Sequence, residues 1–312
     1  MTTAATTTAA TILDIPEARF PVRLGVENQR IRDLFHTATR LQWNPTTDID
    51  WDDLHPEQYT EEQRGAARMY WSRRAWSEYG AISESPALQI RFCHEHRAPD
   101  MALFFSIRSQ EESRHAEVCY RMAEGLGGYF QQPAAVAYQG SVATHGIRKI
   151  ALDPEVSLEG TIAALVCAAE EIAFDVFRHL IEIATNPVAR QIARMILRDE
   201  TRHCAFGWAF LEQRMLQLSP AEKDVVRGAV INMIEKVELN GYHSSWLAPD
   251  SPASRAEMRV DVITWEAGLG ATTEALEKPV FIRSIVEMRR RMRDDWGIEI
   301  PMFTHHKIDT PF

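Results

Sequence analysis

The stretch that decides the fold is residues 199–203, which read Asp199-Glu200-Thr201-Arg202-His203. A near copy, Glu111-Glu112-Ser113-Arg114-His115, lies 88 residues upstream. In a helix, a Glu and a His three residues apart lie on one face, so both side chains can reach one ion. One such pair carries little information. Two pairs, each preceded by a long helix that carries a Glu within a stripe of apolar or small residues, predict a four-helix site for two metal ions.

The first motif belongs to a pair of predicted helices. A capping box at residues 60–63 opens the first helix, expected over about 61–94, and the second is expected over about 100–125. A long connection over about 127–152, with a weak helical pattern near 134–150, leads to the second half of the chain. Such a crossover between the second and third helices is typical of a ferritin-like bundle.

The second motif belongs to a matching pair of helices. The third helix begins after Asp153 or Ser157 and ends near Thr185, and Asn186-Pro187 starts the fourth, about 187–217. Three further helices are predicted over about 220–246, 252–276 and 279–296. The predicted fold is therefore all-α: a ferritin-like four-helix bundle with additional C-terminal helices. We expect a disordered tail over 1–20 and one domain over 21–312, with the core bundle at about 60–217.

The first and third helices must each supply one more carboxylate. In the first helix the candidates are Glu78 and Glu84, and Glu78 is favoured because it gives matching halves. In the third helix they are Glu170 and Glu171, and Glu171 is favoured because the residues after it parallel those after Glu78. The predicted metal ligands are Glu78, Glu112, His115, Glu171, Glu200 and His203.

The composition of this ligand set points to a particular metal. Four carboxylates supply four negative charges, which offset two divalent ions. Oxygen ligands with two imidazoles suit iron, and next manganese, better than zinc. Glu111 and Asp199, the acids before each motif Glu, are the expected outer partners, because a metal-bound His usually donates its second N–H to a carboxylate. No catalytic residue beyond these groups is assigned from the pattern.

Composition excludes several classes of protein. The net charge of −10 argues against nucleic acid or an anionic membrane surface as the main partner. The sequence shows no apolar run long enough to span a bilayer. The four cysteines lie in helical patterns without a Cys-x-x-Cys pair, which indicates reduced, buried thiols and a cytoplasmic protein.

At these residues the chain resembles the ferritin-like di-iron carboxylate oxygenases and oxidases. Residues 77–81, with the two motifs, are similar to bacterial hydroxylases that oxidise arenes and methane. Residues 43–51 and 199–208 resemble the ligand-binding oxidases related to the ribonucleotide reductase small subunit. The p-aminobenzoate N-oxygenases share the general pattern of two motifs. The resemblance covers about residues 40–217.

The chain departs from each subfamily at one position. Cys119 stands where the reductase small subunit keeps a radical tyrosine, and a Cys at this position is similar to methane monooxygenase. Val166 stands where the ligand-binding oxidases carry a cross-linking tyrosine, and Ile196 where the arylamine N-oxygenases add a His. Asp175 stands where aromatic hydroxylases carry a Thr. Cys119 and Cys167 lie one turn from His115 and Glu171 respectively, and Asp175 shares a face with Glu171. These three residues are candidates to line the active pocket, with ordinary packing or a surface position as the alternative.

The resemblance implies an enzyme with two iron ions, with Mn/Fe as the alternative pair. It would activate O2 to hydroxylate, N-oxygenate or desaturate a small organic substrate. Electrons would come from an external reductase or ferredoxin, because the sequence shows no flavin, nicotinamide or iron–sulfur motif. A homodimer through an exposed helix face is a further expectation. The alternatives are a metal-binding ligand oxidase or ferritin-like iron-handling protein without an organic substrate, and a structural helical protein whose acidic core pairs with Arg.

Overall fold

The computed structural model describes residues 24–95, 97–131 and 155–312. Its helices are α1 (Gln29–Arg40), α2 (Glu61–His94), α3 (Pro99–Gly125), α4 (Leu158–Ile162), α5 (Glu170–Ile183), α6 (Pro187–Met215), α7 (Pro220–Lys236), α8 (Pro252–Glu266) and α9 (Glu274–Trp296). A π-helical segment, Ala163–Ala169, joins α4 to α5. Apart from one isolated bridge, no strand occurs in these ranges. The prediction of an all-α fold is confirmed.

The bundle consists of four long helical rods. These are α2, α3, the continuous helix formed by α4, the π-helical segment and α5 (the third rod), and α6. Thr60 forms the predicted capping box, because its hydroxyl accepts from Gln63 N at 3.2 Å and the Gln63 side chain accepts from Thr60 N at 3.0 Å. Asn186 caps α6 by accepting from Ala189 N at 3.0 Å. Ser157 caps the third rod, accepting from Gly160 N at 2.9 Å. The predicted tail over 1–20 and the weak helix near 134–150 lie outside the described residues.

The third rod is not a regular α-helix. Glu170 N donates to Leu165 O, five residues back, at the end of the π-helical segment. A π turn holds an extra residue compared with an α turn, and such turns are frequent at functional sites. The 3.6-residue period that the sequence argument assumed is therefore interrupted immediately before Glu170.

The C-terminal helices close the sides of the bundle. α7 packs against the π-helical segment, α8 against α2, and α9 against α5. The predicted helices over 220–246 and 252–276 both end early, at Lys236 and Glu266. Gly241 has a φ of 92°, and a Cβ at this position would stand only 2.8 Å from Ala248 N. Glycine is therefore needed at this turn.

An aromatic cluster fixes α2, α3 and α6 next to the motifs. Phe104 and Phe206 are fully buried, and their rings stack with centroids 4.4 Å apart. Phe92 packs on this pair from α2, through Phe206 at 6.1 Å. Phe104 also meets the ring of His203 edge-on at 6.2 Å. Because each buried Phe contributes roughly 1.5–3 kcal/mol, this cluster holds the second motif firmly in place.

Candidate metal centre

Two groups of buried acidic and imidazole side chains lie between the four rods. The first group is Glu78, Glu112, His115 and Glu200. The second group is Glu112, Glu170 and His203. In each group the candidate ligand atoms all lie within 4.8 Å of one another. Glu112 belongs to both, so the two groups are adjacent and share one carboxylate.

His115 turns its Nδ1 atom toward the first group. This atom lies 3.3 Å from Glu200 Oε1, 3.5 Å from Glu112 Oε2 and 3.7 Å from Glu78 Oε2. Its other ring nitrogen, Nε2, lies 3.3 Å from Asp199 Oδ2. A proton on Nε2 directed at Asp199 leaves the Nδ1 lone pair directed at the carboxylates, as a metal ligand requires.

His203 is arranged in the same way in the second group. Its Nδ1 lies 3.0 Å from Glu200 Oε2 and 3.5 Å from Glu112 Oε1. Its Nε2 lies 2.9 Å from Glu111 Oε2. The outer acids therefore pair crosswise: the acid of each motif contacts the imidazole of the other. Both acids are predicted from the sequence as outer partners, but no sequence signal indicates this exchange between α3 and α6.

The two outer acids are linked to each other and to the N-terminal segment. Arg202 Nη2 donates to both Glu111 and Asp199. Arg114 Nη2 lies 3.4 Å from Asp199 Oδ2. The indole of Trp43, which precedes α2, donates to Asp199 Oδ2 at 2.8 Å. These contacts fix Asp199 against rotation. Burial would raise the pKa of Asp199, but the hydrogen bond and charge of His115, the hydrogen bond from Trp43 and the charge of Arg202 hold it below its usual value.

Three buried atoms of the cluster lack a hydrogen bond of good geometry: Glu112 Oε1, His115 Nδ1 and Glu170 Oε2. Of these, Glu112 Oε1 lies 2.9 Å from Arg108 Nη2, within ion-pair range. A buried polar atom left without any partner costs roughly 1–3 kcal/mol. A cation between the two groups would satisfy these atoms together. The donor set of four carboxylates and two imidazoles matches the dimetal sites of four-helix bundles. The residues present therefore fit a pair of divalent ions.

The electrostatics of the cluster also suit an exchange of protons for metal ions. Burial would lower the pKa of His203, but the charge of Glu200 and hydrogen bonds to Glu111 and Glu200 raise it to about 10. Burial raises the pKa of Glu170 to about 7, against the opposing effect of Arg108. Metal ligation requires deprotonated groups, so loading this cluster releases protons.

The structure corrects the fourth carboxylate of the predicted set. Glu170, not Glu171, faces the cluster, and it is the α5 member of the second group. Glu171 is half-buried and accepts a hydrogen bond from Trp208 Nε1 on α6. Glu171 was favoured by a parallel between the first and third helices, which holds only if both are regular α-helices. The third is not, because a π-helical segment precedes Glu170.

A small cavity of about 50 Å³ lies beside the cluster. Its apolar wall contains Ala81, Leu165, Ala169, Ala173 and Phe177. The three pocket candidates from the sequence are not among its lining residues. Cys119 is enclosed in the apolar core, Cys167 packs against Gly207 of α6, and Asp175 pairs with Arg178 at 3.0 Å.

Four residues that line this cavity were not predicted from the sequence: Arg74, Arg108, Tyr242 and His243. The two arginines each precede a cluster Glu by four residues, a spacing that places them on the same helix face. That signal was present in the sequence. Tyr242 and His243 lie in the connection between α7 and α8, where no local sequence pattern predicts a contact with the bundle.

Fold and cluster together define a ferritin-like helical protein with a candidate dimetal centre. No family model matches the chain, and no curated protein matches it in sequence. In fold it is similar to solved structures of an R2-like ligand-binding oxidase. One, with an aerobically reconstituted Mn/Fe cofactor after a long soak, has 15% identity and a TM-score of 0.63, covering 83% of this chain and 92% of that one.

Two further structures with the same description agree. One, with an aerobically reconstituted metal cofactor after photoconversion, has 14% identity and a TM-score of 0.63, covering 84% of this chain and 92% of that one. A mutant with an anaerobically reconstituted Mn/Fe cofactor has 15% identity and a TM-score of 0.65, covering 83% and 92%. At this level of identity the similarity establishes the fold. It confirms the ferritin-like bundle and the resemblance predicted from the motifs.

Proposed function

We propose that this chain is a non-haem dimetal oxidoreductase that uses O2 to oxidise a small organic substrate. The observation that carries this proposal is the convergence of ligand atoms of Glu112, His115 and Glu170 in a buried cluster. The donor set favours two iron ions, with Mn/Fe as the alternative. The structures of similar fold that carry Mn/Fe support this alternative pair. The proposed reaction is a hydroxylation, an N-oxygenation or a desaturation of that substrate.

Each residue of the cluster has a role in this proposal. Glu78, Glu112, His115 and Glu200 would hold the first ion, and Glu112, Glu170 and His203 the second. Glu111 and Asp199 would orient the two imidazoles through their Nε2 atoms. When bound, the metal pair would supply electrons and open coordination positions for O2. The apolar wall around Leu165 and Phe177 would limit water near the site.

The size of the cavity favours a second candidate function. Pockets for organic ligands usually have about 300–1,000 Å³, whereas this cavity has about 50 Å³. It accommodates molecules the size of O2 or water, and an organic substrate would require the walls to move. A metal-binding oxidase or iron-handling protein without an organic substrate is therefore the alternative. Uptake of iron far above two ions per chain would support iron storage.

The first experiment is metal analysis combined with O2 consumption. Metal-free protein is loaded anaerobically with Fe(II), desalted, analysed for iron and then mixed with O2. We expect about two ions per chain, and loss of both metal and O2 consumption in the double variant Glu112→Ala/His203→Ala. A folded wild-type protein without stoichiometric metal would refute the proposal and favour the structural helical protein with an acidic core.

The proposal also requires an external electron donor. Sustained turnover should depend on an added reductase, ferredoxin or chemical reductant, because the two ions alone store too few electrons for repeated cycles. Full turnover of the isolated protein without any reductant would contradict this part of the proposal.

Location and assembly remain proposals of the same kind. We place the protein in the cytoplasm on the basis of its cysteines, none of which forms a disulfide within the described residues. Three of them are buried as predicted, whereas Cys93 is exposed. No helix in the described ranges has the length and apolarity needed to cross a bilayer. We also propose one domain over 21–312, because the main core extends from Ile31 to Phe312, and a homodimer as its assembly.

A further inference from the structure

A buried arginine lies beside the second ligand group. Arg108 is on α3, one turn before Glu112, and its side chain is 3% exposed. Its Nη2 lies 2.9 Å from Glu112 Oε1 and also donates to Glu170 Oε1 on α5. Its Nη1 donates to Ser85 Oγ on α2. The guanidinium is therefore fixed against both carboxylates of this group.

The first group has an arginine at the matching position, but its contacts differ. Arg74 precedes Glu78 by four residues, and its Nη2 lies 2.8 Å from Glu78 Oε1. Its guanidinium lies over the ring of Phe177, 4.4 Å from the centroid, and its side chain is 14% exposed. Arg74 thus forms an ion pair with Glu78, one of the three carboxylates in its group, whereas Arg108 forms ion pairs with both carboxylates in the second.

The difference between the contacts of Arg74 and Arg108 affects the electrostatic energy of an ion bound in each group. An arginine side chain keeps its charge at any pH at which the protein is folded. Inside a protein the repulsion between a guanidinium and a divalent ion is screened far less than in water. The second group contains two carboxylates against three in the first, and the same guanidinium holds both of them. Glu200 of the first group also reaches His203, with its Oε2 3.0 Å from Nδ1. An ion that binds there must share Glu112 and draw Glu170 away from Arg108.

We propose that Arg108 sets the affinities of the two metal sites apart, so that the ion at Glu170 and His203 binds second and more weakly. This inference rests on the dimetal function proposed above. Arg108 acts through Glu170 and is a positioning residue, not a metal ligand. The chain then loads its two ions in order, and the ion pair between Arg108 and Glu170 sets the concentration at which the second ion is bound.

The test is an anaerobic titration of metal-free protein with Mn(II), in which free Mn(II) is measured by its electron paramagnetic resonance signal. The wild-type protein should bind two ions with dissociation constants that differ by about tenfold or more. In Arg108→Gln the second ion should bind about tenfold more tightly, with the first nearly unchanged. Arg108→Lys, which keeps the charge, should retain the inequality. Arg91→Gln removes a buried arginine outside the cluster and should change neither constant.

Two results would overturn the inference and leave the dimetal function intact: two ions of equal affinity in the wild-type protein, or a ratio of constants unchanged by Arg108→Gln. Absence of any Mn(II) binding by folded wild-type protein would instead refute the dimetal function itself. If circular dichroism shows that Arg108→Gln does not fold, Ser85→Ala replaces it. That nearly isosteric change loosens Arg108 and should tighten the second ion by a few-fold, and an unchanged second constant would overturn the inference.

Discussion

The two halves of the bundle carry nearly the same five-residue motif, yet they supply their remaining carboxylates from different helical structures. Glu78 lies within α2, an α-helix without a π turn. Glu170 begins α5 directly after a π-helical segment. The motifs on α3 and α6 are local and nearly identical, whereas the facing helices differ in structure. The comparison teaches that a repeated ligand motif does not imply repeated geometry around it.

The largest effect should come from the carboxylate that both halves share. Glu112→Gln removes a ligand from both groups, so we expect iron content to fall from about two ions per chain to almost none. Glu78→Gln affects only the first group and should leave about one ion. Both are measured by elemental analysis after anaerobic loading and desalting. Equal losses in the two variants would show that Glu112 does not bridge the groups.

The next comparison is between two neighbours on α5. Glu170→Gln should reduce the iron content to about one ion per chain, because the second group loses its own carboxylate. Glu171→Gln should leave about two, since the Gln carbonyl can still accept from Trp208. The same metal analysis decides between them. The opposite pattern would restore Glu171, the residue that the sequence favoured, and would remove the structural difference between the halves.

The residues that could be predicted from the sequence are those set by short helical spacing. The motif at residues 199–203, its copy and Glu78 come together as expected, because positions three and four apart share a helix face. Glu170 was weighed but not chosen, since a π-helical segment depends on tertiary packing. Gly207 of α6 lets that helix approach Val166 closely, a contact that no local pattern reveals.

The crosswise outer acids give the next smaller effect. Asp199 lies in the second motif but contacts His115, so Asp199→Asn should weaken the first ion by about tenfold or more. Glu111→Gln should weaken the second ion by a similar factor through His203. Mn(II) titrations of each variant measure both constants. Thr201→Ala, an exposed change on the same helix, is the control and should alter neither.

A reversed assignment, with each acid acting on the imidazole of its own motif, would contradict the crosswise arrangement. The halves would then function as separate units, and the link through Arg202 would have no effect on metal binding. Weakening of both ions by each single substitution would instead show that the two acids act as one unit.

The smallest effect concerns two glycines, one in each half. A Cβ on Gly207 would stand 2.7 Å from Val166 Cγ1 and 2.9 Å from Cys167 Sγ, so Gly207→Ala must displace these side chains or the π-helical segment that carries them. We expect a loss of about 1–2 kcal/mol in the free energy of unfolding, with weaker binding of the second ion through Glu170. A Cβ on Gly80 of α2 would meet no atom within 4 Å, so Gly80→Ala should gain about 0.5–1 kcal/mol from helix propensity.

Denaturant unfolding of the metal-free variants measures both changes, and Mn(II) titration measures the second ion. If Gly207→Ala stabilised the protein as Gly80→Ala is expected to, the π-helical segment would be free to shift without cost. Its position would then not determine which glutamate of α5 faces the cluster. Loss of stability together with a weakened second ion, and an unchanged first ion, would instead tie the packing of α6 on this segment to the difference between the two metal sites.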